Sequence, residues 1–143
     1  MQSSMYLEVI TPEKTILKED VDEVLVPTQQ GQIGILPHHT NLVTELVHGE
    51  MIIKTKGKEH ILAVTGGFLE VKDGKVTILA DYAVHAEDID VEKALSAQKR
   101  AEEVLKKKKE EISEKDFVIA QGELRRSLLE LHIANRRRRK SPH

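Results

Sequence analysis

Three groups of residues in this chain could do chemistry: seven histidines, a pair of adjacent glycines and a set of arginines. His38 and His39 are neighbours, so in an extended strand they face opposite sides and cannot share one metal ion. Gly66 and Gly67 stand between two strand patterns, so they offer no helix N-terminus to a phosphate. The sequence has no cysteine, and its carboxylates form no pair in a recognisable catalytic setting. These patterns argue against an enzyme and predict that the chain binds no metal.

The arginines lie in the second half of the chain, where a basic helix could contact the phosphates of a nucleic acid. They are Arg125, Arg126, Arg136, Arg137, Arg138 and Arg139. Recognition of single-stranded nucleic acid also relies on aromatic side chains, and this half has only Phe117, which its helical spacing assigns to packing. A solvated basic face is therefore favoured over a nucleic-acid site.

Charge divides the chain into two parts. Residues 1–90 contain 7 Lys or Arg and 15 Asp or Glu, which gives a net charge of −8. Residues 91–143 contain 15 Lys or Arg and 9 Asp or Glu, which gives +6, and the two sum to the net charge of −2. Opposite signs in two halves predict two modules with different partners. There is no signal-peptide pattern and no apolar run long enough to span a bilayer, so we expect an intracellular chain that reaches a membrane only through a partner.

The first module has the period of β-strands as far as Tyr82. Strand patterns cover residues 6–11, 23–27, 51–55, 61–65, 68–72 and 76–80. Lys56-Gly57-Lys58 and Asp73-Gly74-Lys75 separate two pairs of strands and are typical hairpin turns. Many short strands at close spacing predict a β-sandwich or barrel.

One segment of this module combines two glycines, a short apolar run and a proline, from Gly31 to Pro37. Glycine allows positive φ and proline ends a strand, so the segment predicts a tight turn into a short buried strand. The alternative interpretation is an ordinary connection between strands.

The second module has helical period. Asp88 or Asp90 can cap a first helix, and Ser113 can cap a second one. The apolar stripe of the first helix is Val91, Ala94, Leu95, Ala101, Val104 and Leu105, and that of the second is Phe117, Ala120, Leu124, Leu128 and Leu131. Two helices with narrow stripes bury little area, so we expect an antiparallel hairpin of marginal stability.

Three blocks of sequence resemble the epsilon-subunit family of bacterial and chloroplast F-type ATP synthases. They are Gly31-x-x-Gly34-Ile35-Leu36-Pro37-x-His39-x-x-Leu42-Val43-Thr44, Thr65-Gly66-Gly67-Phe68-Leu69-Glu70-Val71 and Glu87-Asp88-Ile89-Asp90. The resemblance extends from about Tyr6 to about Leu131. It implies an α+β fold, in which an antiparallel β-sandwich in residues 1–88 is followed by a two-helix antiparallel hairpin with a basic tail in residues 89–143.

The resemblance also implies a function without an active site. In this family the sandwich binds the gamma subunit and the c-ring, and the helices either fold back or extend towards the alpha and beta subunits and inhibit ATP hydrolysis. We therefore expect a non-catalytic subunit that couples rotation to proton translocation. We expect it at the cytoplasmic face of a bacterial cell membrane, or the stromal face of a thylakoid. The alternative is a stand-alone adaptor that binds protein or nucleic acid through its basic helix.

Two contact sites follow from the resemblance. Gln30, Gly31, Gln32 and His39 are expected near the c-ring or gamma, although a purely conformational turn explains the glycine equally well. The arginines named above are expected to contact the beta subunit during inhibition. Its acidic surface in this family suits the +6 half.

The family further suggests a nucleotide site, because some bacterial members bind ATP through an Ile/Leu-Asp-x-x-Arg-Ala motif. The corresponding residues here are Ile89, Asp90, Lys93 and Ala94, with Arg126 as a second phosphate contact. Lysine replaces the motif arginine, Val84 stands where binding members have glutamate, and Glu130 stands where they have a further arginine. We expect weak ATP binding or none and no required cofactor. A helix cap is the alternative interpretation of the motif.

Overall fold

The computed structural model describes residues 4–140, and the side chains of residues 4–137. The chain divides into two compact units, Met1–His85 and Ala86–His143. The boundary predicted from the sequence, residue 88, falls at the end of a short 3-10 helix, Ala86–Asp88, which opens the second unit.

In residues 4–85, eight strands form one hydrogen-bonded sheet in the order β2-β1-β7-β6-β5-β3-β4, and β8 pairs with β6. Strands β1 and β7 are parallel, and the other pairs are antiparallel. The strands are β1 (Met5–Ile10), β2 (Thr15–Val21), β3 (Glu23–Thr28), β4 (Gly31–Ile35), β5 (Leu42–Thr55), β6 (Lys58–Lys72), β7 (Lys75–Ala80) and β8 (Ala83–His85).

Two long strands, β5 and β6, take part in both layers of a sandwich. Their pairing has one segment on each side of Val47, with residues 42–46 opposite 67–71 and residues 48–55 opposite 58–65. The first segment pairs onward with β7, β1 and β2, and the second lies beside β3, β4 and β8. The sandwich is therefore one sheet folded over on itself. The α+β class is confirmed, and the sandwich is antiparallel as predicted except for the parallel pair β1 and β7.

Strand β6 bends at Gly66 and Gly67, which have φ of +83° and +127°. A Cβ atom at residue 67 would overlap the carbonyl oxygen of Leu79, so only glycine fits there. The sequence predicted two strands, 61–65 and 68–72, but β6 is continuous from Lys58 to Lys72. The prediction was wrong because the glycine pair bends the strand without ending it.

The core between the layers is aliphatic. Buried and more exposed side chains alternate along β1, where Leu7 and Val9 are buried, and along the end of β6, where Leu69 and Val71 are buried. Residues 51–53 of β5 and 62–64 of β6 are instead buried in succession. Burying such side chains is the main favourable contribution to folding, at about 25 cal/mol per Å² of apolar surface. The sandwich therefore contains the large hydrophobic core of the chain.

Both predicted hairpin turns are confirmed. Lys56 and Gly57 have φ of +50° and +79°, and Asp73 and Gly74 have φ of +49° and +82°. Positive φ at both central residues is the geometry of the two-residue turn that matches strand twist. The Gly31 segment differs from its prediction, because β4 is an edge strand in which only Ile35 is buried.

The second unit contains α1 (Val91–Leu105) and α2 (Glu114–Lys140), which pack as an antiparallel hairpin, with a short 3-10 helix, Lys109–Glu111, between them. Asp90 caps α1, since its Oδ1 accepts a hydrogen bond from the N–H of Lys93 at 3.1 Å. Ser113 caps α2 through its Oγ, which accepts from the N–H of Asp116 at 3.1 Å. Both predicted caps are confirmed.

Most side chains buried along the helices are smaller than the leucine and phenylalanine side chains predicted there. The buried residues are Ala94 and Ala101 in α1 and Ala120, Ser127 and Ile133 in α2. Three predicted stripe residues are in fact exposed, Leu95 at 52%, Phe117 at 39% and Leu128 at 47%. Small side chains allow the two helices to approach closely, which leaves the large side chains at the edges of the contact.

Candidate functional site

The exposed turn between β3 and β4 contains Gln30, and Gly31 and Gln32 begin β4 directly after it. A threonine fixes the shape of this turn. The Thr28 hydroxyl donates to the carbonyl oxygen of Gly31 at 2.6 Å and accepts from the N–H of Gln30 at 3.2 Å. Gly31 has φ of +102°, and no atom lies within 4 Å of a Cβ built on it. The turn therefore requires glycine for its backbone and presents both glutamine side chains to solvent.

Sequence reasoning missed Thr28, which is only 8% exposed. Its role depends on a side-chain hydrogen bond across a turn, and a Thr three residues before a Gly is a weak signal for that bond.

His39 lies beyond the other end of β4. Its backbone N–H donates to the carbonyl oxygen of Leu36 at 3.1 Å, and its Nδ1 lies 2.7 Å from the carbonyl oxygen of Thr40. Strand β4 has five residues, which corresponds to about 13 Å of strand between the turn and the segment holding His39. The structure thus does not bring His39 together with Gln30, Gly31 and Gln32.

The Ile89-Asp90 segment forms the start of α1. Asp90 is the cap described above, and its carbonyl oxygen also accepts the first helical hydrogen bond from Ala94 at 3.0 Å. Ala94 is 4% exposed and belongs to the helix contact, whereas the Lys93 side chain is exposed. Asp90 and Ala94 therefore have structural roles that do not involve a ligand.

Arg126 lies on α2 and forms an ion pair with Glu130, one turn further along. The distance from Arg126 Nε to Glu130 Oε1 is 3.3 Å, and the geometry is that of a hydrogen bond. The Arg126 side chain is 50% exposed and that of Glu130 is 12% exposed. The arginine expected to contact phosphate therefore already has a carboxylate partner within its own helix.

The other arginines extend along the same helix. Arg125 and Arg136 are separated by about three helical turns, as are Arg126 and Arg137, so the four lie in two rows on α2. Arg125 and Arg137 are exposed and Arg136 is partly buried. The side chains of Arg138 and Arg139 lie outside the described residues. The described arginines thus form a basic surface that extends along α2 from residue 125 to residue 137.

Metal ligands and membrane spans are the two remaining kinds of feature to consider in residues 4–140. No group of three or more His, Asp or Glu side chains there is arranged to hold a metal ion. In that same part of the chain, no helix is both long enough and apolar enough to cross a membrane.

Comparison with known families gives two matches in tandem. Residues 4–86 match the family described as the ATP synthase delta/epsilon chain, beta-sandwich domain. Residues 87–135 match the ATP synthase delta/epsilon chain, long alpha-helix domain. Together the two matches cover nearly all of the described chain, in the order in which the sandwich and the helices occur.

Individual relatives align with this chain over nearly their whole length. The chain is 42% identical over 133 residues to the ATP synthase epsilon chain of Nitratidesulfovibrio vulgaris, with 93% of this chain and 97% of the relative covered. It is 38% identical over 137 residues to that of Dehalococcoides mccartyi, with 96% of each covered. Among solved structures, a chain of the Euglena gracilis mitochondrial ATP synthase, determined as OSCP/F1/c-ring, superimposes with a TM-score of 0.71 at 28% identity, with 93% of this chain and 81% of that chain covered.

Proposed function

Since the chain belongs to the family of ATP synthase delta/epsilon chains, we propose that it is the epsilon subunit of a bacterial F-type ATP synthase. The observation that carries the proposal is the tandem match, which assigns both units of the chain to the two domains of that family. In this role the chain couples rotation to proton translocation and carries no active site of its own. The complex holds it at the cytoplasmic face of the membrane.

The sandwich is the unit that binds gamma and the c-ring in this proposal. The layer that contains β7, β1 and β2 carries an exposed apolar patch on its outer face, formed by Phe68 at 57% and Leu79 at 51% exposure. Phe68 and Leu79 are direct partners across β6 and β7, so their side chains lie together. Val43 is 70% exposed but lies diagonally from Phe68, whose direct partner on β5 is the exposed Glu45. An exposed apolar patch is typical of a protein interface, and gamma is the partner we assign to it. The exposed Gln30-Gly31-Gln32 turn supplies a polar surface for the loops of the c-ring.

The helical unit is the regulatory part. Apart from Ile133, its buried side chains are alanine and serine, so it has little buried apolar area to hold it in one arrangement. The basic surface of α2 suits an acidic surface on the beta subunit, where binding would block ATP hydrolysis. This combination of a weakly held hairpin and a charged face is what an inhibitory element needs.

The proposal is tested by reconstitution. The full chain is added to an alpha/beta/gamma complex that lacks its own epsilon subunit, and co-elution and ATPase rate are measured. We expect stoichiometric co-elution and a lower rate of ATP hydrolysis. A Phe68→Asp variant should lose co-elution, because a carboxylate in the apolar patch would be desolvated by gamma. A Leu36→Asp variant, which changes an exposed leucine outside the patch, is the matched control.

The adaptor hypothesis predicts the opposite pattern. A chain that fails to co-elute with the complex, yet binds DNA or RNA with strong salt dependence, would overturn the proposed function.

A further inference from the structure

We propose that Asp22 and Asn41 are two equivalent clamps, which hold one end of the sandwich closed through side-chain hydrogen bonds to its β-hairpin turns. Strands β5 and β6 pass from one layer to the other at their bends, so the sandwich is continuous at that end. The two turns, residues 56–57 and 73–74, lie at the opposite end, which we call the open end. The inference goes beyond the proposed function, because it concerns what keeps the sandwich in shape.

Two connections in residues 4–85 lead from one layer to the other at the open end. Asp22 alone connects β2 to β3, and residues 36–41 connect β4 to β5. The first connection enters the layer of β3, β4 and β8, and the second enters the layer of β1, β2 and β7. Asp22 and Asn41 are therefore the last residues before the strand that enters each layer.

Each clamp accepts a hydrogen bond from the first residue of the turn in the layer that the chain enters. Asp22 Oδ2 accepts from the backbone N–H of Lys56 at 2.8 Å. Asn41 Oδ1 accepts from the backbone N–H of Asp73 at 3.1 Å. The partners are 34 and 32 residues apart, so both bonds join distant segments and neither is a local turn bond.

The two donors need a partner from outside their own hairpins. Strand pairing within the hairpins ends directly before Lys56 and Asp73, which have positive φ of +50° and +49°. A backbone N–H group without an acceptor is unfavourable, and here the acceptor is a side chain placed just before the neighbouring strand. Aspartate and asparagine both carry a carbonyl-type oxygen of the same reach, so either one can serve.

The two clamps also have the same register. In each layer, the residue that follows the clamp pairs with the residue two positions before the clamped turn residue. The pairs are Glu23 with Lys54 and Leu42 with Val71. An identical offset in both layers indicates that each clamp fixes the turn against the strand that enters beside it.

Amide hydrogen exchange of the full chain, followed residue by residue by NMR, tests the proposal. Asp22→Ala should speed exchange of the Lys56 amide at least about fivefold and leave the Asp73 amide unchanged, because each clamp acts on one turn. Asn41→Ala should do the reverse. Slow exchange in β1 and β7 verifies that each variant is folded.

Conservative variants separate the acceptor oxygen from the rest of the side chain. Asp22→Asn and Asn41→Asp keep this oxygen and should keep exchange at both turns within about twofold of the unmodified chain. The matched control is Glu23→Ala, which removes the neighbouring carboxylate. Glu23 pairs with Lys54 Nζ at 3.4 Å and not with a turn, so both amides should be unaffected.

Spin labels measure the open end directly. The sequence has no cysteine, so Lys58→Cys and Lys72→Cys, at exposed positions beside the two turns, carry labels at these two sites only. The distribution of distances between the labels should be narrow in the otherwise unmodified chain. It should broaden when Asp22 and Asn41 are both replaced by alanine, and stay narrow with Glu23→Ala.

Three results would overturn the proposal. The first is unchanged exchange at both turns in the folded alanine variants. The second is exchange in Asp22→Asn as fast as in Asp22→Ala, because the acceptor oxygen would then not be what holds the turn. The third is an unchanged distribution of label distances in the double alanine variant. All three measurements use the chain alone, so the proposed function is judged separately by co-elution.

Discussion

The two units of this chain bury very different side chains. The sandwich encloses large aliphatic residues such as Leu7, Leu62 and Ile78, each with no exposed surface. Between the helices the buried residues are mainly alanine and serine, and large residues such as Phe117 lie exposed at the edge. Because apolar burial sets most of the stability, the sandwich should be the rigid unit and the hairpin the marginal one. A rotary machine needs both, a firm coupling element and an element that can change its arrangement.

The largest expected effect is on the sandwich. Gly67→Ala places a Cβ against the carbonyl oxygen of Leu79 and forces a non-glycine residue to φ of +127°. We expect a loss of at least about 3 kcal/mol in the free energy of unfolding, measured by denaturant titration. Gly74→Ala is the control, since its φ is also positive but its Cβ would meet nothing, and it should cost about 1–2 kcal/mol. Equal losses of unfolding free energy in the two variants would show that the contact with Leu79 does not cause the destabilisation.

An oversized residue in the helix contact should destabilise the second unit alone. Ala101 is 1% exposed, and Ala101→Leu would separate the helices at a cost of about 1–3 kcal/mol. The helical signal in circular dichroism should melt earlier, while amide exchange in the strands of the sandwich stays slow. Glu102→Leu, at the neighbouring exposed position, is the control. Faster exchange throughout the strands would mean that the two units are not independent in stability.

The basic face of α2 should set the strength of inhibition. Replacing Arg125, Arg136, Arg137, Arg138 and Arg139 by alanine, with Arg126 kept for its ion pair, should raise ATP hydrolysis by the reconstituted complex a few-fold. Exposed ion pairs contribute about 0–1 kcal/mol each, so the effect needs several arginines together. High salt should reproduce part of it.

Four lysines in the connection between the helices, residues 106–109, provide the control for this charge change. Their replacement by alanine should leave inhibition nearly unchanged. If the arginine variant inhibits as well as the unmodified chain, apolar contacts by Leu124, Leu128 and Leu131 are the better explanation.

A small gain in stability is expected from a substitution at Gly122. This glycine lies inside α2 and is exposed, and no atom lies within 4 Å of the methyl group that alanine would add. Gly122→Ala should stabilise the helix by about 0.5–1 kcal/mol, seen as a higher melting temperature of the helical signal. Gln121→Ala, at the exposed neighbouring position, should change it by less. An unchanged melting temperature in Gly122→Ala would indicate that tertiary contacts, and not helix propensity, limit the stability of α2.

The smallest effect on the sandwich should follow removal of the helices. A chain shortened to residues 1–88 retains every member of the aliphatic core cluster. It should unfold in a single cooperative thermal transition and still bind gamma. A broad, non-cooperative transition would contradict the independence of the two units.

The sequence predicted those parts of the structure that depend on local chemistry. Asp73-Gly74 forms a turn because both residues tolerate positive φ, and Asp90 and Ser113 cap helices because their side chains reach backbone N–H groups three residues away. The sequence missed strand β2, whose charged residues Lys18, Glu19 and Asp20 suit an edge strand but hide its alternating pattern.

Features that depend on distant residues were not predictable in the same way. The continuity of β6 through its two glycines depends on where β7 lies, and the helix contact depends on which side chains allow close approach. Ser127 and Ile133 were therefore missed, although each is 1% exposed. The Arg126–Glu130 pair has the spacing of helical neighbours, but the low exposure of the Glu130 side chain is visible only in the structure.

The continuous course of β5 and β6 through both layers has a mechanical consequence. In a sandwich built from two separate sheets, a twisting force on one sheet reaches the other only through side chains that can slide past each other. Here each long strand passes from one layer to the other as continuous covalent backbone. Neighbouring strands are hydrogen-bonded to it on both sides of the bend. A twisting force on one layer is therefore transmitted to the other layer through the backbone, with little relative movement of the two layers. A subunit turned by one partner and pressed against another would gain torsional stiffness from this arrangement without any increase in its size.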